Sequence, residues 1–172
     1  MSEKYFGKYR GVVKNNADPL QQGRIQVQVP DVAGLAPSTW AMPCIPVAGI
    51  QSGMYVLPPP QAGVWVEFEQ GDPDYPIWSG CFFGSAGEVP ISALGGPPQS
   101  PNIVLQTGSQ NSITIQGLPG GGIVLSSGPF ANPASPKIMI SSAGITISNG
   151  QGAVITLTGP TVNINAGALT IT

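Results

Sequence analysis

The chain has 172 residues, 41% of them apolar but only 8% charged, with 24 Gly, 19 Pro and a net charge of −2. So little charge excludes a general electrostatic pull towards nucleic acid or an anionic membrane, and so much apolar content excludes a disordered polar chain. There is no histidine, which removes the commonest general base and the commonest metal ligand.

The first residues, MSEKYFGKYR, are polar and aromatic. They do not show the basic-then-apolar layout of a secretory signal, and no apolar run reaches the length of about 18 residues that a membrane helix needs. Synthesis in the cytoplasm is therefore expected. On the same ground Cys44 and Cys81 are expected to be buried free thiols rather than a disulfide.

Five strands are predicted in the first half. YFGKYRGVVK (5–14) is the first. RIQVQVP (24–30) alternates clearly, with Ile25, Val27 and Val29 on one face and Gln26 and Gln28 on the other. WAMPCIPV (40–47) is interrupted by prolines, which suits an edge or an irregular strand. VWVEFEQ (64–70) sets Val64, Val66 and Phe68 against Trp65, Glu67 and Glu69. PIWSGCFF (76–83) follows across the turn GDPD, a hairpin connection. Five strands with long first and third connections suit a small closed barrel of the OB type, with an SH3-like barrel as the alternative.

The charge stops abruptly. After Glu88 the one charged side chain is Lys137. The stretch from 84 to 101 is rich in Gly, Pro and Ser, which marks a boundary. The expected division is a barrel over 1–88, a connector over 89–101 and a repetitive β-region over 102–172.

The repeat consists of NIVLQT (102–107), SITIQG (112–117), GIVLSS (122–127), KIMISS (137–142), GITISN (144–149), VITLTG (154–159), TVNINA (161–166) and ALTIT (168–172). Each places two apolar residues two apart: Ile103 and Leu105, Ile113 and Ile115, Ile123 and Leu125, Ile138 and Ile140, Ile145 and Ile147, Ile155 and Leu157, Val162 and Ile164, Leu169 and Ile171. GPFANPASP (128–136) is one longer excursion, and GLPGGGI (117–123) is a turn, because it lacks the Lys and Ser/Thr of a phosphate loop. Two inward side chains per strand make a stripe, not a two-sided core. Coils of a single-chain β-helix need longer repeats, about 20 residues or more. Three chains wrapped together, each supplying one face of a prism, bury the stripe on a common axis. A homotrimer follows, with these paired residues as its core. The positions between them are read as small, neutral and outward. Eight strands about 4.8 Å apart give a shaft of roughly 40 Å.

Other candidate sites read more plainly. Glu67, Glu69, Asp72 and Asp74 could serve glycoside hydrolysis or hold a divalent ion, but an exposed strand face and an Asp-Pro turn account for them. Tyr5, Phe6, Tyr9 and Trp65 could stack on single-stranded nucleic acid, but the surrounding net charge is negative, so packing is the better reading. Trp40, Trp65 and Trp78 are assigned to the barrel core or to packing between subunits. Lys4, Lys8, Arg10 and Lys14 form a mild basic run with one possible use, contact with a larger assembly. With no base system and almost no ionisable group in the second half, no enzyme activity and no cofactor are expected.

The segments YRGVVKNNADPLQQGRIQVQVPDV (9–32), PPPQAGVWVEFEQGDPDYPIWSGCFF (58–83) and the repeats from 102 onward resemble the central spike of contractile injection machines. The family includes the baseplate assembly protein V of tailed phages and the spike portion of VgrG proteins; similar spikes occur in R-type pyocins and extracellular injection systems. The resemblance implies an OB barrel followed by a trimeric, intertwined β-helix or β-prism. It also implies a hub or baseplate contact at the barrel end and a piercing role, with the particle delivered to the target envelope on contraction. The short connector leaves no room for the lysozyme domain of some large phage spikes, and the hub must be a separate protein. Some short spikes close their tip with histidines binding iron; without histidine this chain cannot. The implied partner is then a separate PAAR-type tip protein, and the open final strand edge places its docking at Leu169, Thr170, Ile171 and Thr172. A trimeric tail fibre that binds or degrades polysaccharide is the alternative function.

Overall fold

In the computed structural model, which describes residues 3–171, the first half forms β1 (Tyr9–Asn15), β2 (Ile25–Gln28), a short helix α1 (Pro30–Ala33), β3 (Pro37–Pro43), β4 (Ala48–Gly49), β5 (Ser52–Gly53), β6 (Gly63–Phe68) and β7 (Pro76–Phe82). The barrel closes in the order β1-β2-β3-β7-β6, with β6 returning to β1. All pairings are antiparallel except β3 with β7, where Met42 faces Ile77 and Pro43 faces Trp78 in parallel. A Greek-key order with one parallel closure is the OB-type barrel, not the SH3-like alternative.

The alternation read from the sequence sets the core. Ile25, Val27, Val29, Val64, Val66 and Phe68 are buried together with Val13, Ala41 and Trp78, while Gln26, Gln28, Trp65 and Glu67 are half-buried. Gly11 is also buried; a Cβ there would lie 2.9 Å from Val66 Cγ2, so the barrel interior admits no side chain at this point of β1. Tyr5, Tyr9 and Phe68 pack ring against ring beside this core, with centroids 5.6–6.1 Å apart. Trp78 donates its indole N–H to the Gly23 carbonyl at 3.1 Å, satisfying the one polar group it takes inside.

Three expectations are corrected. The first strand starts at Tyr9, not at residue 5. The third spans Pro37–Pro43, and the residues after it form the separate hairpin β4–β5, because Pro43 and Pro46 cannot donate to a ladder. Cys44 and Cys81 are free thiols but exposed rather than buried. Cys44 lies just beyond β3, and Cys81 follows a bulge at Ser79 near the end of β7, so both sit where strands leave the core.

The second unit, Gly87–Thr172 as against Met1–Ala86 for the first, is one eight-stranded antiparallel meander: β8 (Ile103–Gln106), β9 (Ser112–Ile115), β10 (Gly122–Ser126), β11 (Lys137–Ser141), β12 (Gly144–Ser148), β13 (Val154–Thr158), β14 (Thr161–Ile164) and β15 (Leu169–Ile171). Each repeat segment supplies one strand. The loop between β10 and β11 is held by Ser135, whose hydroxyl donates to Pro129 O at 2.9 Å.

The connector is more than a spacer. Residues Ile91–Gly95 form a 3-10 turn and belong to the second unit. Asn102 Nδ2 donates to Ser92 O at 2.7 Å, Gly117 N to Asn102 Oδ1 at 3.0 Å, and Ser100 Oγ to Gly117 O at 2.7 Å. Ser92 itself is buried, and its hydroxyl reaches Gln106 Oε1 at 3.4 Å.

Candidate assembly interface

An antiparallel register fixes which side chains stand beside one another. In the meander it aligns Ile103, Ile115, Ile123, Ile140, Ile145, Leu157 and Val162 in one continuous row, with Ile171 at the register position opposite Val162. A second row runs Leu105, Ile113, Leu125, Ile138, Ile147, Ile155, Ile164 and Leu169. Every residue assigned from sequence to the trimer axis falls in one of these two rows. Because strand side chains alternate, a register slip of one residue anywhere would break both rows at once.

Most of this face is open to solvent in the single chain. Ile103 and Leu105 are 66% and 67% exposed, and the central isoleucines and leucines remain exposed or half-exposed. Isolated apolar side chains on a surface need no explanation, but two unbroken rows across eight strands form a contiguous patch of the kind that marks an interface.

The opposite face departs from expectation. Its central row is Val104, Thr114, Val124, Met139, Thr146, Thr156 and Asn163, so it is not uniformly small and polar. Near the start it is also covered: Thr114 is 0% and Val124 3% exposed. The Thr114 and Ser112 hydroxyls are buried without a hydrogen-bond partner. The single chain thus buries part of its polar face and exposes its apolar one, the reverse of a self-sufficient domain.

Residues 9–83 match the family described as the type VI secretion system/phage-baseplate injector OB domain. Residues 102–170 match the phage baseplate V C-terminal trimerisation domain. The chain belongs to the baseplate spike-like family. Both matched families are of structural baseplate domains, and its C-terminal sheet is the trimerisation domain, which makes the spike-like protein a homotrimer. The family also makes it a component of a phage tail or injection particle. No curated protein matches the chain.

The remaining candidate residues of this spike-like protein lie on the barrel. Of the basic run, Lys8 pairs with Glu67 at 3.1 Å and donates to Ser79 Oγ at 2.9 Å. Lys4 pairs with Asp72 at 3.5 Å. Arg10 lies over the rings of Trp65 and Phe82, 5.2 and 5.0 Å from their centroids. Lys14 is exposed at the end of β1, with no ion pair among the described residues. Three of the four basic residues are thus engaged by partners within the barrel unit.

The carboxylates Glu67 and Asp72 are engaged locally too. Lys8 foremost, with Ser79, holds the Glu67 carboxyl below the usual carboxylate range. Asp72 accepts the Asp74 amide at 3.1 Å, an Asx turn. Among the described residues no His, Cys, Asp or Glu cluster is arranged to hold a metal. Trp78 is a core residue, whereas Trp40 and Trp65 are half-buried and each carries an arginine guanidinium over its ring. Of the expected tip-docking residues, Leu169 is exposed and the backbone of Leu169–Ile171 forms the edge strand of the sheet; Thr172 lies outside the described residues.

One structural residue escaped the sequence reading. Asp18 is buried and takes its Arg24 partner in a two-nitrogen grip: Arg24 Nη2 reaches Oδ1 at 2.6 Å and Nε reaches Oδ1 at 3.1 Å and Oδ2 at 3.2 Å. The backbone N–H groups of Leu20, Gln22 and Arg24 also donate to it, at 3.0, 2.8 and 3.2 Å. The arginine first, and then these amides, hold its carboxyl far below the usual range. The only sequence signal was the Asp-Pro pair in NNADPLQQGR, which announces a turn but not its arginine.

Proposed function

We propose that this protein is the central spike of a contractile injection machine, with the C-terminal sheets of three chains forming a prism that pierces the target envelope. The observation that carries this reading is the pair of unbroken apolar rows. In a trimer they meet on one axis, and the hydrogen-bonded meanders form the walls of a shaft. Such a shaft resists axial load because no strand leaves without breaking the bonds of its neighbours. Its near lack of charge lowers the cost of entering lipid, where a buried charge is expensive.

The barrel end docks to a separate hub or baseplate protein, with Lys14 the freest of the basic residues for that contact. The free edge of β15 receives a separate PAAR-type tip protein. An unpaired strand edge is a template for pairing with another chain.

The mass of the purified protein in native buffer tests the assembly. A trimer of the 17.6 kDa chain is expected by light scattering. A monomer would leave the apolar rows in water and overturn the spike reading.

A further inference from the structure

Residues 32–66 contain no Asp, Glu, Lys or Arg. Within them, residues 46–56 form an arm in which every residue is exposed. The strands β4 and β5 pair through Ala48 with Gly53 and Gly49 with Ser52, leaving Ile50 and Gln51 as the turn. The root of the arm is fixed: Ile45 and Leu57 pack against the barrel core, and Met54 N–H donates to Val47 O at 3.0 Å. None of its own apolar side chains joins the barrel core, and the Tyr55 ring lies beside the barrel, near Gly23. Val47, Ile50, Met54, Tyr55 and Val56 are all more than half exposed, Ile50 to 98%.

Turn chemistry does not explain this choice of residues. A two-residue hairpin turn favours Gly, Asn or Asp. Here an isoleucine occupies the first position, and Gln51 takes a positive φ of 53°. An isolated hairpin is marginal in water, and exposed hairpins are ordinarily protected by charge; this one has none.

We infer that the arm packs against the barrel of a second copy of this chain within the trimer. The inference rests on the trimeric reading. Residues 83–91 separate the end of β7 from the anchored Ser92, a reach of at most about 30 Å. A unit of this size has a radius of gyration of about 12 Å. Three barrels tethered to one trimerisation domain therefore stay within each other's reach, at an effective concentration on the order of millimolar. The chemistry selects the same occupant. Partners recruited from solution use polar rims and steering charge, whereas permanent homomeric interfaces are richer in apolar residues. A charge-free arm with Met, Tyr, Ile and Val is of the second kind.

The test places a photo-crosslinking amino acid at position 50 of the full-length chain, purified without other baseplate proteins, and reads native mass and denatured mass after irradiation. Trimer in native buffer with covalent dimers or trimers after denaturation supports the inference, and the cross-linked peptide should map to residues of the barrel or arm. The cross-link should be lost when Tyr55→Lys and Val56→Lys are added, with the native mass still trimeric. A trimeric native mass without cross-links between copies would overturn this inference alone. A monomeric native mass would overturn the trimeric reading and this inference with it.

Discussion

Asp18 shows what a single side chain does for the barrel. It ties the long β1–β2 connection to Arg24, and Arg24 in turn lies 5.5 Å from the Trp40 ring centroid. The folded carboxyl titrates below its unfolded value, so the stabilisation is fully present above the unfolded pKa of about 4 and is lost as pH falls through the acid range. Glu67 is shifted in the same direction by Lys8 and Ser79. The thermal midpoint of the barrel should therefore fall on acidification below about pH 4. Asp18→Asn should lower the midpoint at neutral pH and flatten that acid dependence, because the amide leaves the arginine without its charge partner; an unchanged midpoint would contradict the role given to Asp18. Gln70 makes a different case. It holds φ at 52°, a region that costs a residue with a Cβ roughly 1–2 kcal/mol. Gln70→Gly should raise stability by about 0.5 kcal/mol after the added unfolded-state entropy of glycine, measurable by chemical denaturation.

At the scale of the strand, the alternation places the apolar side chains on one face and the meander register joins them into rows. Ile138 and Ile147 stand opposite each other in the middle of the second row. If the rows are the trimer axis, Ile138→Ala removes buried volume from all three copies and should cost about 2 kcal/mol or more per chain. Thr146→Ser on the other face should change stability by less than about 0.5 kcal/mol. Equal effects from the two substitutions would mean that the apolar face is not the buried one. The strand turns carry their own constraint. Gly144 has φ of 132°, and a Cβ there would collide with the Leu157 carbonyl. Gly144→Ala should break the β12–β13 pairing and give a large loss of trimer on a size-exclusion column.

For the whole molecule, a trimer that closes the exposed apolar rows on one another would make folding and assembly of the C-terminal unit one concentration-dependent process. Dilution should lower the melting temperature of that unit, and circular dichroism at several concentrations checks this. The proposed tip contact is tested at the same scale. Removing residues 169–172 should abolish binding of a PAAR-type protein while the mass remains trimeric. Retained binding would move the contact away from β15.

The amino-acid sequence by itself determined the two faces of nearly every strand. Side-chain alternation is a property of one extended segment, so Ile25 and Val27, or Ile123 and Leu125, show their shared face without knowledge of any neighbour. It also determined the division in charge between the two halves. The tertiary structure alone decided the closure of β3 on β7, the arginine that Asp18 meets, the folding of the connector through Ser92 and Asn102, the exposure of Cys44 and Cys81, and the detachment of residues 46–56 as an arm. Each depends on groups distant in sequence finding one another, and local pattern carries no record of such meetings. Thr114 marks the divide. Its alternation says only that it faces away from Ile113 and Ile115, while the packing around it decided that the face it joins would be closed to water.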